Sequence, residues 1–243
     1  MDTWIDTCSL VGDPGRLPAT KGSTPLMTNL DLTNDELLTT TRAVRKRLDL
    51  DRPVEHDVIE ECVRIAMQSP SGANQQAWQW VFVEDRATKD ALAAIYRRQF
   101  DSTYRLMPIA TYDDPEVQAQ AVRRRASATW LADHFEEVPL IMVPCQAGRV
   151  DGAGVGAQAG FWGSLLPAVW NFMLALRSRG LGSAWVTMNL GHPDGERDTA
   201  EVLGIPYERY TQAGMFPVGY TVGTDFKPVP TPDVSKVVHW DHW

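Results

Sequence analysis

Apolar residues recur at helical spacing in several stretches of the chain, and each stretch predicts a helix. The first begins at T-N-D-E, residues Thr33 to Glu36, a capping box in which the Thr and Glu side chains satisfy each other's exposed backbone N–H groups. A later helix ends in basic residues followed by Gly180, a typical stop signal. The predicted helices span residues 34–48, 58–67, 87–98, 116–137, 157–179 and 199–203.

Short apolar runs bounded by turn residues predict buried strands at 80–83, 140–143, 184–187 and 215–221. The last run contains Pro217 and Gly219, which favours an edge position or a close approach of another backbone. Residues 1–30 show no period and predict an irregular arm. No linker divides the remainder, so residues 31–243 are predicted to form a single domain.

The polar segment S-P-S-G-A-N-Q-Q-A-W, Ser69 to Trp78, lies between a predicted helix and a predicted strand. Pro70 ends the helix, and Gly72 permits backbone geometry that other residues resist. Small and amide side chains leave backbone N–H groups accessible to a phosphate, a sugar or a polar heterocycle. An ordinary polar loop explains the same residues equally well, while Trp78 is the best candidate in it to contact a planar ligand.

The first predicted helix ends in a cluster of cations, Arg42, Arg45, Lys46 and Arg47. Such a cluster complements the negative end of the helix dipole and can simply lie in solvent. Binding of an anion accounts for it equally well. A second basic run, Arg123 to Arg125, is most simply a solvated helix face, although it is also suited to lie near an anionic ligand.

The stretch from Gly152 to Leu176 contains no charged residue and is long enough to span a membrane. Its glycines, Gln158 and Asn171 favour instead a helix buried in a core or a subunit interface. We therefore expect no membrane association.

Composition narrows the function classes further. The net charge of −8 and the pI of about 5.1 argue against binding to nucleic acid or anionic lipid. The 3 cysteines are far apart, so neither a disulfide framework nor a cysteine metal site is expected, and a cytoplasmic location fits best. Dinucleotide-binding, P-loop and serine-hydrolase motifs are absent, and no metal site is expected.

Four motifs together resemble the flavin-dependent nitroreductase family. They are, in order, T-R-A-V-R, the polar segment Ser69 to Trp78, N-F-M-L-A-L-R-S-R-G-L-G-S with A-W-V-T-M, and F-P-V-G-Y. Each is weak alone, but their shared order and spacing are specific, and the resemblance covers roughly residues 34–240. It implies an α+β fold in which helices surround a mixed, mostly antiparallel sheet, and a homodimer with FMN bound at the subunit interface. The uncharged helix would then be the central dimer helix.

The resemblance also implies a set of cofactor-binding residues. Arg42 would approach the FMN phosphate or ribityl chain, Arg45 the pyrimidine edge of the ring, and the Thr187 amide the flavin nitrogen that carries the hydride. The polar segment would serve the flavin of the other subunit. The full set is Arg42, Ala43, Arg45, Pro70, Ser71, Gly72, Asn74, Val186, Thr187, Met188 and Lys227.

The chain departs from the family pattern at several of these positions. Ala43 stands where relatives usually have Ser, and Thr187-Met188 where many have Glu-Gly. Relatives often carry a Lys-x-Arg pair after the last strand, of which only Lys227 remains, so phosphate binding is expected to rely on Arg42 and Lys227.

The expected activity is transfer of a hydride from NADH or NADPH through FMN to a nitroaromatic, quinone or similar acceptor. No catalytic side chain is assigned, because the cofactor carries the chemistry. The loop at residues 101–115 is expected to shape the acceptor pocket. Dehalogenation, flavin fragmentation, and flavin binding without turnover remain open as alternatives.

Overall fold

The computed structural model describes residues 29–231 and 233–243; the predicted N-terminal arm lies almost wholly outside them. The described helices are α1 (Asn34–Thr40), α2 (His56–Ala66), α3 (Arg86–Ser102), α4 (Pro115–Asp133), α5 (Val155–Ser178), α6 (Met188–Gly191) and α7 (Gly195–Leu203). The strands are β1 (Trp78–Val83), β2 (Leu140–Ala147), β3 (Leu181–Ser183), β4 (Tyr210–Gln212) and β5 (Phe216–Tyr220).

The strands form one sheet in the order β1-β2-β5-β3, and β4 pairs with the end of β2 that lies beyond β5. Every pair of named strands is antiparallel. A single parallel bridge among the described residues joins Ala43 to Ser183. The α+β architecture with a mostly antiparallel sheet is therefore confirmed.

Strand β2 is buried on both faces and separates two apolar clusters. Leu140 and Met142 belong to the cluster beneath α2 and α5, whereas Ile141 and Val143 belong to the cluster beneath α3 and α4. Alternate residues of a strand point to opposite faces, so a continuous apolar run is what a strand between two helical layers requires.

Helix α1 ends at Thr40, so the prediction that it continues to Leu48 is wrong. The capping box at Thr33 is confirmed. At the other end, the hydroxyls of Thr39, Thr40 and Thr41 each donate to a backbone carbonyl four residues earlier, a bond that disfavours straight continuation of a helix. The chain then turns extended, and the Val44 N–H donates to the Ser183 carbonyl at 2.8 Å.

Two strand predictions are also corrected. The third strand is Leu181–Ser183, and in the segment predicted in its place only Val186 forms a bridge, to Met215. Strand β5 is not at an edge, because it lies between β2 and β3. Pro217 is tolerated there since it lies one residue beyond the last pair with β3. Strand β4 and helix α6 carried no clear sequence pattern and were missed.

Helix α5 is, by length and composition, the one helix among the described residues that is apolar enough to cross a membrane. Most of its second half, from Leu165 to Leu176, packs in the protein core, as expected for a core helix, although Trp170 is exposed. Its first half is exposed and rich in small residues, including Gly156, Gly160 and Gly163. The helix stops at Gly180, whose φ of 74° is the left-handed conformation that glycine supplies.

We expect Gly182→Ala to destabilise the fold by about 1–3 kcal/mol, because an added Cβ would lie 2.8 Å from side-chain atoms of Val44 and Thr221. Gly154→Ala, just before α5, is the control, since a Cβ there meets no atom within 4 Å. Urea unfolding followed by circular dichroism measures both. Equal stability of Gly182→Ala and the parent would contradict the close approach of Val44 to β3.

Candidate functional site

A cavity of about 180 Å³ lies where the extended segment after α1 meets the chain around α6. It brings together four of the predicted site residues: Arg45, Val186, Thr187 and Met188. The remaining lining residues are Tyr96, Phe100, Tyr104, Arg124, Ala128 and Trp185. Among these described lining residues there is no Asp or Glu, so the cavity is cationic with an aromatic wall.

Arg45 is the half-buried cation of this cavity. Burial lowers the pKa of its guanidinium below the usual value, and the neighbouring Tyr96 and Tyr104 phenols partly offset that effect. Among the described residues, no carboxylate contributes to the pKa shift of Arg45. A guanidinium removed from water without a counter-charge is costly, so this position favours an anionic or electron-rich ligand.

The opposite side of the cavity is formed by Trp185 to Met188. Val186 is fixed by a pair of backbone hydrogen bonds to Met215, of 3.0 and 2.9 Å. The Trp185 ring lies nearly parallel to Phe216, and its Nε1 donates to the Ala213 carbonyl. These contacts hold Thr187, which is exposed and N-terminal to α6, at the cavity edge.

The aromatic wall comes from α3 and the loop that follows it. Tyr96 is stacked between Phe135 and Phe100, and Phe100 contacts Tyr104. Burial raises the pKa of the Tyr96 phenol to about 12, so it stays protonated at neutral pH. Tyr104 belongs to the loop that was expected to shape an acceptor pocket. Its presence in the cavity agrees with that expectation.

Arg42 lines a second, smaller cavity of about 10 Å³ beside the same segment. Arg177 at the end of α5, Ser183 of β3 and Phe226 surround it with Arg42. Arg177 and Ser183 are only 5% and 2% exposed. Four buried donor atoms here have no hydrogen-bond partner in the described chain: Nε of Arg42, Nε and Nη1 of Arg177, and Oγ of Ser183.

The structure does not bring the polar loop into either cavity of the same chain. The loop packs instead on α5: the Gly72 N–H donates to Ser164 Oγ at 2.8 Å, and Asn171 Nδ2 donates to Ser69 Oγ at 2.7 Å. Pro70, Ser71 and Asn74 project from this side of the molecule, where Pro70 and Asn74 are exposed.

The loop backbone adopts the left-handed conformation at Ala73, Asn74 and Gln76, with φ of 50°, 55° and 48°. Gly72 does not use its conformational freedom; it is small because a Cβ would lie 3.3 Å from Ser164 Oγ. Left-handed non-glycine residues cost about 1–3 kcal/mol each at strained sites and cluster where ligands bind. Trp78 is buried, with its Nε1 bonded to the Ser164 carbonyl, so the prediction that it contacts a ligand is wrong.

Two predicted residues lie between or outside the cavities. Ala43 is exposed and pairs with Ser183 through the parallel bridge. Lys227 is exposed and lines neither cavity, whereas the preceding residue, Phe226, lines the smaller one. The sequence pattern assigned Arg177 only to a helix stop signal, and it did not identify Tyr96 as a site residue. Arg124, which lines the larger cavity, belongs to the basic run noted as suited to an anionic ligand.

A more spacious groove of about 500 Å³ lies between α2 and the edge strand β1. Its charged residues are exposed and already paired: His56 with Glu84 at 2.7 Å, and Arg64 with Glu60 at 2.9 Å. None of the predicted site residues lines it. The described residues contain no group of three or more His, Cys, Asp or Glu side chains suited to hold a metal ion.

The sequence matches the nitroreductase family over residues 38–220. A curated relative, the iodotyrosine deiodinase of Thermotoga neapolitana, is 24% identical over 179 residues, which cover 74% of this chain and 84% of the relative.

Two solved structures share the fold. An iodotyrosine deiodinase bound to FMN and 3-iodo-L-tyrosine is 22% identical, with a TM-score of 0.64, over 86% of this chain and 99% of the other. The FMN- and NADPH-dependent nitroreductase NfnB of Sphigopyxis sp. strain HMH is 18% identical, with a TM-score of 0.62, over 87% and 100%.

Proposed function

Because the chain belongs to the nitroreductase family, we propose that it is an FMN-dependent oxidoreductase that carries electrons from NADH or NADPH to a nitroaromatic or quinone acceptor. One observation carries the proposal: Arg45, half-buried and without a carboxylate partner, lies beside Val186 to Met188 in an aromatic cavity. The solved relatives named above bind FMN, and the residues around this cavity fit that cofactor.

The fit rests on charge and on unpaired donors. FMN is an anion through its phosphate, and its ring gains negative charge on reduction; the described lining of both cavities is cationic and contains no carboxylate. Arg42 has a buried Nε without a partner, which suits the phosphate or the ribityl chain. When bound, FMN supplies hydride and electron transfer that protein side chains cannot carry out.

The residues of this chain then have distinct roles. Arg45 stabilises negative charge at the pyrimidine edge of the ring, and the Thr187 amide donates to the reacting edge. Tyr104 and Trp185 exclude water and limit the acceptor to a planar molecule that fits against the ring. Arg124 gives the cavity a second positive charge. No side chain is required as a general acid or base.

We propose that a second subunit completes the site. The exposed half of α5 presents glycines and alanines that permit close packing of another helix, and the polar loop is anchored to that same helix at Ser164. Docking a second copy on this half of α5 would bring Ser71 and Asn74 to the partner's flavin. This arrangement explains why the loop and the cavity are separate within one chain.

Reductive dehalogenation is a second candidate reaction, favoured by the match to iodotyrosine deiodinase. Thr187 stands where many relatives of the family have Glu, so a hydroxyl rather than a carboxylate borders the cavity. Steady-state assays with matched nitro-, quinone- and iodo-substituted phenols separate the two reactions. The acceptor reduced with the largest kcat/KM identifies the activity.

The proposed function predicts that purified protein saturated with FMN is yellow and that NADPH or NADH bleaches it under anaerobic conditions. Stopped-flow absorbance measures the rate, and free FMN at the same concentration is the control. If neither nucleotide bleaches bound FMN, the protein binds flavin without turnover. If no FMN binds, the cofactor assignment itself is wrong.

Ser71→Ala and Asn74→Ala should each raise the Kd for FMN by roughly two- to tenfold, the loss of one hydrogen bond, without changing the dimer. Gln75→Ala is the matched control, an exposed amide of the same loop for which no cofactor contact is proposed. Flavin fluorescence titration and analytical ultracentrifugation measure the two quantities. Parent-like affinity in both variants would place the cofactor elsewhere.

Arg45→Gln should lower the midpoint potential of bound FMN, because the reduced state loses a charge-assisted hydrogen bond worth about 1.5–3 kcal/mol. That loss corresponds to about 30–65 mV for a two-electron couple. Lys46→Gln, which removes a neighbouring exposed charge, should shift the potential far less. Spectroelectrochemical titration tests this, and equal shifts in both variants would mean that only the overall charge matters.

A further inference from the structure

We infer that Arg177, at the C-terminal end of α5, is the second cation that binds the phosphate of the flavin mononucleotide. The inference rests on the proposed function and names a residue for a role that the sequence left unfilled. Relatives of the family often carry a Lys-x-Arg pair after the last strand, whereas only Lys227 remains in the corresponding region of this chain. Lys227 lines neither of the two cavities, so another cation is needed to hold the phosphate.

The hydrogen bonding of Arg177 is incomplete. Its Nη2 donates to Thr40 Oγ1 at 3.2 Å and to the Thr224 carbonyl at 3.0 Å. Its Nε and Nη1 are buried and have no partner in the described chain. A guanidinium that is 5% exposed and has two nitrogen atoms without a partner is costly relative to its solvated state. An anion in contact with those two atoms would offset the cost.

The neighbouring groups make an intramolecular counter-ion unavailable. The small cavity is lined by Arg42, Arg177 and Ser183, and its described lining contains no Asp or Glu. The Arg47 guanidinium also lowers the pKa of Arg177, after the larger effect of burial. The Asp225 carboxylate, which precedes Phe226 in the chain, is bonded to Arg47 at 2.6 Å. The residues that carry the unpaired donors, Arg42, Arg177 and Ser183, therefore line the same small, positively charged cavity.

Phe226 lines this cavity and lies against the guanidinium groups of Arg47 and Arg177. Its ring lies 4.2 Å from the guanidinium carbon of Arg47 and 4.9 Å from that of Arg177. The cavity of about 10 Å³ has room for roughly one water molecule, so a phosphate enters only when the Phe226 ring moves aside. Replacing the Phe226 ring by phosphate is favourable, because a charge-assisted hydrogen bond to phosphate is stronger than a cation–π contact. Phe226 thus acts as a replaceable cover over the phosphate-binding cations.

A buried water molecule is the simpler occupant of this cavity, and it would satisfy the same donors. The two alternatives differ in one measurable property. Phosphate binding makes the protein prefer FMN over riboflavin, which has the same ring and ribityl chain but no phosphate. If the cavity holds only water, the preference for FMN over riboflavin does not depend on Arg177.

The experiment compares the Kd values for FMN and riboflavin, measured by fluorescence titration, in the parent protein and in Arg177→Gln, Arg177→Lys and Lys227→Gln. We expect Arg177→Gln to weaken FMN binding roughly ten- to hundredfold while riboflavin binding stays unchanged. Arg177→Lys should recover part of the loss, and Lys227→Gln should have little effect. Equal Kd changes for both flavins, or no change for either, would overturn the inference.

A second variant keeps the inference testable if Arg177→Gln does not fold. Phe226→Leu removes the ring that covers the cations, and it should tighten FMN binding relative to riboflavin. A ratio of the two Kd values equal to that of the parent would contradict the role of Phe226 as a cover. A parent protein that binds neither flavin would instead refute the proposed function and leave the anion site without a flavin ligand.

Discussion

The backbone hydrogen bond from the Val44 N–H to the Ser183 carbonyl, 2.8 Å long, organises the whole site. It ties the extended segment after α1 to the end of β3, where Gly182 allows Val44 to approach closely. Arg42 and Val44 line the smaller cavity, and Arg45, where the segment bends, lines the larger one. The early end of α1 at Thr40 is what makes this separation of the two arginines possible.

The second organising feature is the division of α5 into a buried and an exposed half. The buried half fills the core beneath β2, and its last turn places Arg177 behind Arg42. The polar loop is bonded to α5 through the buried Ser164, where the exposed half meets the buried half, and it lines neither cavity. One helix therefore supports both the cation cluster of its own chain and the loop that we propose reaches a partner. Cofactor binding and dimer formation would then stabilise each other.

The sequence specified the elements with strong periodicity and missed those set by tertiary contacts. Helix α2, helix α5 and the apolar core of β2 follow directly from apolar spacing. The end of α1 does not follow from apolar spacing. The chain after Thr40 bonds to β3, which lies far along the sequence, instead of continuing the helix. Helix α6 and β4 are short, and they are fixed by packing rather than by their own propensities.

The site residues that lie within the family motifs could be predicted from the sequence. Those that the fold brings together from distant parts of the chain could not. Arg45 and Val186 to Met188 were predicted from the family resemblance, and the structure brings them into one cavity. Arg177 and Phe226 carried no local signal, since their proximity depends on how the end of α5 meets the chain after β5. Trp78 looked ligand-facing only because its neighbours are polar, whereas its indole is needed in the core.

The most direct test of a flavin site shared between two subunits is complementation in mixed dimers. One chain carries Arg42→Gln and Arg45→Gln, and the other carries Ser71→Ala and Asn74→Ala; they are co-expressed with different affinity tags and purified through both. Each variant alone should bind FMN weakly, while the mixed dimer should recover one tight site, formed by the intact cations of one chain and the intact loop of the other. FMN titration that finds only weak binding in the mixed dimer would contradict the shared site.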